Sequence, residues 1–387
     1  MIAKFFISGL GKGRNRGVAV QKQVISFVLI LTGLVAARAQ AEEQQRPLES
    51  SRFYARGNTY VAGYDTDEGT RGNPATLSET NIKFQLRFFQ MDMLVGENSV
   101  DSISDLAEID AESSAISMLQ TFEDKFGKRQ YGRVQLAPLA LRILWFELTP
   151  FISTANFVDM RLPTIPEVEF YSDTMAGANF SFGFPVGKTL NFGLTMRPAH
   201  RTVYTGNMGF GDLVDVINSD DVELGELFEK REGFQIGWDT GMIWKPSAAW
   251  RLGLLVENLG YAGNQGGFKA PPKPYQQRVN LGMNYRVDWK PWHWDMLMDM
   301  QDLVNPQGYH PLQLLHIGTE IGRSYISRDH DIGLLAGINE GYLTMGTFVD
   351  VFVARLQMTY YAVELGEYPG QRKDRRWGIT LLSSMTF

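Results

Sequence analysis

Apolar and polar residues alternate along most of this chain with a period of two. Ile82, Phe84, Leu86 and Phe88 alternate with Lys83, Gln85 and Arg87. Phe180, Phe182 and Phe184 alternate with Asn179, Ser181 and Gly183, and Leu190, Phe192, Leu194 and Met196 with Asn191, Gly193, Thr195 and Arg197. The same beat runs through 234–244 and 279–286, and from Trp377 to the terminal Phe387 only Leu382 interrupts a small or polar partner set. A strand points successive side chains to opposite faces, so each of these segments is a strand with one apolar face, and a helix would not keep this period. With further candidates at 133–146, 149–162, 249–258, 292–302, 312–322, 330–338, 342–349 and 351–363, the pattern predicts fourteen strands after residue 80. The pair at 133–162 is the weakest, because Pro138 and Pro150 fall inside it and proline donates nothing to a ladder.

The connections predict how the strands are arranged. Segments 185–188, 245–249 and 288–291 are tight, whereas 95–132, 199–232 and 259–276 are long. Short turns at one end and long loops at the other are the habit of transmembrane barrels, whose even strand count puts both termini at the short-turn end. Trp244, Trp250, Trp289, Trp292 and Trp294 flank the short turns, where an interfacial aromatic girdle belongs. The expected fold class is therefore all-β: a transmembrane antiparallel β-barrel of about fourteen strands, spanning 81–387, with a bacterial outer membrane as its place.

The amino-terminus agrees. Residues 1–39 carry Lys4, Lys12, Arg14, Arg16, Lys22 and Arg38 and no acid, with an apolar run from Val24 to Val35 and the small-x-small pattern Ala37-Arg38-Ala39. This reads as a secretory signal peptide with cleavage at Ala39 or Ala41. Without those 39 residues, 31 Lys and Arg face 43 Asp and Glu, a formal net charge of −12. Such an acidic chain is a poor nucleic-acid binder. The lack of cysteine excludes disulfides, thiolate metal sites and a Cys nucleophile.

Between the leader and the first strand lies a Gly-rich, irregular stretch, 40–80, that fits no membrane strand. It holds Asp65 and, eight residues on, Asn73-Pro74-Ala75. In this spacing, and in Val256-Glu257-Asn258-Leu259-Gly260, 337–342 and 360–366, the sequence resembles the FadL-type long-chain fatty-acid transporters of the outer membrane and their PorV-type relatives. The resemblance implies that 40–80 is a hatch folded inside the barrel, with Asp65, Asn73, Pro74 and Ala75 as its marks, and that Phe387 is a signal to the barrel assembly machinery. A plain Asx-Pro turn at a strand entrance is the other reading of Asn73-Pro74.

Candidate chemistry is sparse. None of the five histidines forms a His-x-x-x-His pair, and no Gly-x-Ser-x-Gly occurs, so neither a zinc hydrolase nor a nucleophile elbow is indicated, and no cofactor or metal is expected. By strand parity Arg197, Asp239, Glu257, Arg286, Asp295, Asp299 and Glu320 point into the lumen, either as a polar passage or hatch anchor, or as ion pairs between wall and plug. Two of the long loops read as helices. Ile103, Leu106 and Ile109 recur at helical spacing in one, and Leu213, Val216 and Ile217 in the other. The resemblance implies that such helices dock a hydrophobic ligand; alternatively they pack together and cap the barrel. Both loops are acidic, which disfavours a free carboxylate and suits neutral solutes or cation bridges to lipopolysaccharide. Uptake of hydrophobic small molecules through a hatch-plugged lumen is the expected function. A PorV-type interaction barrel and a purely structural barrel are the alternatives.

Overall fold

The computed structural model describes residues 46–64, 68, 70–79, 82–99, 127–161, 167–209, 228–259, 271–304, 308–324 and 330–387. The expected signal peptide, Asp65 and the six apolar loop residues Ile103, Leu106, Ile109, Leu213, Val216 and Ile217 lie outside the described residues. Contacts group Ala41–Leu303 with Tyr309–Phe387 in one compact body.

Among the described residues, fifteen strands build the wall of that body. They are β1 (Phe84–Gly96), β2 (Arg129–Ala137), β3 (Ala140–Ile143), β4 (Phe146–Arg161), β5 (Glu167–Val186), β6 (Leu190–Gly209), β7 (Glu229–Trp244) and β8 (Trp250–Leu259). They continue with β9 (Arg278–Trp289), β10 (Trp292–Met300), β11 (Leu315–Ser324), β12 (His330–Asn339), β13 (Tyr342–Val351), β14 (Ala354–Glu364) and β15 (Lys373–Thr386). Neighbours in sequence pair antiparallel, and β15 returns to β1 from Gln85↔Thr386 to Gly96↔Arg376, which closes the barrel. Both β2 and β3 lie between β1 and β4, so the fifteen strands occupy fourteen wall positions. The break between them falls at Pro138 and Leu139, both outward and exposed. One extra outward residue there is a bulge, and it lets a proline sit in the wall without costing a ladder bond. Closure leaves no sheet edge, so the backbone is satisfied inside lipid.

Alternation sorts the faces. On β15, Trp377, Ile379 and Leu381 are exposed, while Asp374, Arg376, Thr380 and the exceptional Leu382 are buried. Phe192 and Ile236 also lie on the outward face, part-covered by neighbours. Parity changes once within β1: Gln85 and Arg87 are buried, then Gln90, Asp92 and Leu94, with a register shift between Arg87 and Phe89. Among the described residues no helix is long and apolar enough to cross a membrane. The crossing is made by strands with apolar outer faces.

The wall is uneven, and this corrects the expected long loop 199–232. β6 runs on to Gly209 and β7 starts at Glu229. β5 and β6 are each 20 residues long, against 9 for β10 and 10 for β12. A tilted membrane strand needs only about 9–11 residues, so half of β5 and β6 stands clear of the bilayer. There the outward residues, such as His200, Thr202 and Tyr204, face water and carry no apolar beat, which is why the pattern hid the strand. The expected loop 95–132 also shortens, since β1 reaches Gly96 and β2 begins at Arg129. At the far end from the termini one connection is tight, at Glu340-Gly341, and there both residues take positive φ as a two-residue hairpin turn requires.

At the seam, the Phe387 amide donates to the Phe84 carbonyl at 2.8 Å, the Phe84 amide donates back at 3.4 Å, and their rings lie 5.7 Å apart. Deleting Phe387 removes both bonds at the point of closure. The expected result is a smaller heat-modifiable folded fraction in membranes, read by gel shift; an unchanged fraction would show that closure is secured higher up the seam.

Candidate functional site: the barrel lumen

The described residues of 46–79 lie within the ring of strands and touch it on opposite sides. The short helix α1 (Ser51–Ala55) packs on β12–β15 and β1, and the 3-10 helix Pro74–Glu79 packs on β5, β6 and β7. Ser50 caps α1, its side chain accepting from the Arg52 amide. Nearly every described residue from Arg46 to Leu77 is buried. A fourteen-strand barrel is too wide for its own side chains to fill, and this inner segment supplies the filling.

Four arginines of the inner segment meet carboxylates of the wall or of the segment's own neighbours. Arg46 donates to Glu257 of β8 through Nη2 at 2.7 Å and Nε at 3.1 Å. The Tyr60 hydroxyl donates to the other Glu257 oxygen at 2.9 Å, as does Asn280 at 2.6 Å. Arg52 and Arg56 share Glu320 of β11, the second at 3.0 Å. Arg71 pairs with Asp92 of β1, whose second oxygen accepts from Thr380. Asp299 of β10 binds backbone instead: one oxygen accepts from the Tyr60 and Val61 amides at 2.6 and 2.9 Å. In the reverse sense, wall Arg133 holds Glu49 at 2.8 Å. Burial by itself would lower the Arg46 pKa, but Glu257 and Tyr60 outweigh it and the guanidinium stays charged. Burial pushes the Tyr54 and Tyr60 hydroxyls well above their usual range, so both remain neutral donors.

Asn73 joins the two readings of its motif. Its side-chain oxygen accepts from the Ala75 amide at 3.1 Å, an Asx turn that opens the 3-10 helix with Pro74 in its first position. Its amide nitrogen donates to the carbonyls of Val61, Leu254 and Met242 at 2.8, 3.2 and 3.3 Å, which ties the turn to β7 and β8. Glycine makes this approach possible. A Cβ at Gly193 would overlap the backbone of Pro74 and Ala75, and one at Gly241 would overlap the Asn73 side chain. Further along, Arg142 donates to the Leu77 carbonyl at 2.7 Å, and Glu79 pairs with Arg251 and Lys245. Tyr64 lies between two guanidinium groups, Arg251 at 3.7 Å and Arg286 at 3.6 Å from its ring centre.

All seven predicted lumen charges face inward, but they divide. Glu257, Asp299 and Glu320 hold the inner segment. Arg197 with Asp239, and Arg286 with Asp295, pair strand to strand within the wall. Parity could not find the four arginines opposite the carboxylates, because the inner segment has no period. Their signal was compositional: Arg46, Arg52, Arg56 and Arg71 gathered in one short aperiodic stretch, with inward carboxylates predicted on the wall.

Toward the far end, beyond α1, the lumen turns aromatic. Tyr54, Leu94, Tyr131, Phe157, Tyr361 and Val363 form one buried cluster, with Tyr171 and Leu365 against it. Tyr54 stacks on Tyr361 at 4.2 Å and Phe157 on Tyr171 at 4.8 Å. The cations over these rings are already matched: Arg376, 3.5 Å from the Tyr131 ring centre, pairs with Asp374, and Arg129, 4.2 Å from that of Phe157, pairs with Asp159. These rings are buried against one another, so this part of the lumen is apolar and aromatic with its charges paired.

No family model matches the sequence, and no curated protein does. Solved structures do match. The CymD monoaromatic hydrocarbon channel superposes with a TM-score of 0.51 at 10% identity, over 87% of this chain and 96% of that one. The toluene transporter TbuX of Ralstonia pickettii gives 0.49 at 9%, over 88% and 98%. The toluene transporter TodX of Pseudomonas putida gives 0.45 at 13%, over 90% and 99%. The likeness to CymD is one of fold, traced over most of both chains.

Proposed function

We propose that this chain is a FadL-type outer-membrane channel that takes up uncharged hydrophobic small molecules. The aromatic cluster carries the reading. It lines the lumen against Tyr54 of the inner segment, so a ligand on those rings touches the element that fills the barrel. The inner segment serves as the hatch, with Asn73, Pro74 and Ala75 where it turns toward the wall and Glu257, Asp299 and Glu320 as its anchors. CymD, which shares the fold, is described as a monoaromatic hydrocarbon channel. That agrees with a transport role over an enzymic one. The apolar helices expected at 103–109 and 213–217 would collect the ligand outside. Lipopolysaccharide, outer-membrane lipid and the assembly machinery are the partners this setting implies. Charge balance in the cluster favours a neutral ligand over a fatty acid, since a carboxylate leaving water there would meet arginines already neutralised by Asp159 and Asp374.

Calorimetric titration of the purified full chain in detergent tests this, with toluene as the neutral probe and benzoate as its carboxylate counterpart. Toluene is expected to bind, and benzoate to bind about tenfold or more weakly, because its charge loses hydration without a new partner. Tyr361→Ala is expected to weaken toluene and leave the barrel folded. Equal affinity for benzoate, or no binding of either probe, would remove the reading.

A further inference from the structure

The terminal end of the barrel is not chemically uniform around its rim. From β13 round through β14, β15, β1 and β3 to β4, the tips are apolar and open. The β13–β14 turn is Phe352-Val353, with Phe352 71% exposed; the β3–β4 turn is Leu144-Trp145, 54% and 47% exposed; and Phe387, 67% exposed, lies between them. Backbone bonds knit these tips together, Ser384 donating to Val353, Phe387 to Phe84 and Leu144 to Lys83. On the other arc the tips are Gly187-Lys188-Thr189, Pro246-Ser247-Ala248 and Lys290-Pro291.

A second observation is conformational. Leu144 and Phe352 hold φ of +52° and +55°. That region is unfavourable for bulky L-residues, and two-residue hairpins in water fill it with Asn, Asp or Gly. At the far end the residue in that position is the charged Glu340, at φ +52°, followed by Gly341. Where Glu340 presents a charge, these two turns present an exposed Leu and Phe, which suit an apolar medium. The surface around them is continuous with the lipid-facing wall, since Ile143, Val351 and Met385, one step up the strands, are exposed and apolar. Of the charged residues beside these tips, Asp350 and Arg355 pair with each other, and Lys83 has a stem long enough to reach past the lipid to water.

We infer that the rim from β13 to β4 is sunk into the membrane interface, so that the two hairpin tips and the carboxy-terminal Phe touch lipid, while the rim from β5 to β10 stands in water. The occupant of the apolar arc is lipid, the medium that already covers the strands above it. The inference rests on the barrel and not on its ligand.

The chain has no cysteine, so single labels are straightforward. Trp145→Cys and Phe352→Cys would each carry a nitroxide, with Leu381→Cys as the lipid reference and Ser247→Cys as the aqueous one. Leu144→Cys and Val353→Cys repeat the measurement with both large rings kept. In dioleoylphosphatidylcholine vesicles, labels at 144, 145, 352 and 353 are expected to collide with oxygen more than with a nickel chelate, as at 381, and the label at 247 to do the reverse. Nickel access at the 144–145 and 352–353 tips equal to that at 247 would overturn the inference. So would protection from both reagents, which means protein cover, or lipid contact at one hairpin only.

Discussion

Removing residues 46–79 is expected to convert a closed barrel into an open pore. The wall strands pair with one another all the way round without help from the inner segment, so the barrel should still close. The deletion takes away Arg46, Arg52, Arg56 and Arg71 together with Glu49 and Glu79, and leaves Asp92, Glu257, Asp299 and Glu320 as well as Arg133 and Arg251 facing the space. Carboxylates that were expensive to bury become hydrated by the water that fills the lumen, so the charge that anchored the segment now lines a channel. Planar-bilayer recording should show single-channel conductance rising by about tenfold or more for a lumen of this strand number. Unchanged conductance would mean that the segment does not obstruct the pore, and the hatch reading would lose its support.

Glu320→Ala is expected to be the most damaging single change in the lumen. Glu320 is shared by Arg52 and Arg56, and its side chain and that of Arg56 are each 2% exposed. Breaking a buried pair from one side leaves uncompensated charge and costs about 3–5 kcal/mol; here two guanidiniums lose their partner at once. The cost falls on α1 and its seat against β12–β15 more than on the wall ladder. Hydrogen exchange at the amides of 53–61 should accelerate by a hundredfold or so, while exchange within β4–β7 stays unchanged. Glu320→Gln, which keeps the shape and one acceptor, should lose less. Asp295→Ala breaks a pair inside the wall, with Arg286, and should leave 53–61 protected. Equal protection in Glu320→Ala and the parent would show that Asp299 and Glu257 hold the segment by themselves.

The extent to which the chain was legible follows where a period exists. Within the bilayer, lipid outside and a crowded lumen inside impose opposite demands on successive residues, so Trp377, Ile379 and Leu381 declare the outer face and Arg197, Asp239, Glu257, Asp299 and Glu320 the inner one. That logic reached the strand number, closure and the inward direction of the seven lumen charges it named. It faltered at Phe88, where a bulge switches the parity of β1, and at 199–209, where both faces meet water or polar groups and alternation has nothing to sort.

What the sequence by itself determined is the barrel and its two faces, because each strand's pattern answers to a medium on either side and needs no knowledge of its partners. What only the tertiary structure decided is who meets whom inside. Glu257 finding Arg46 across 211 positions, Glu320 finding both Arg52 and Arg56, and Asn73 reaching carbonyls of β7 and β8 depend on how an aperiodic segment threads a closed ring. Gly193 and Gly241 read in the chain as small residues on a polar face; only the approach of Asn73-Pro74-Ala75 shows that any larger residue would collide. A strand's face is a local property of alternation, whereas a contact in the lumen is a property of closure, which no stretch of chain contains.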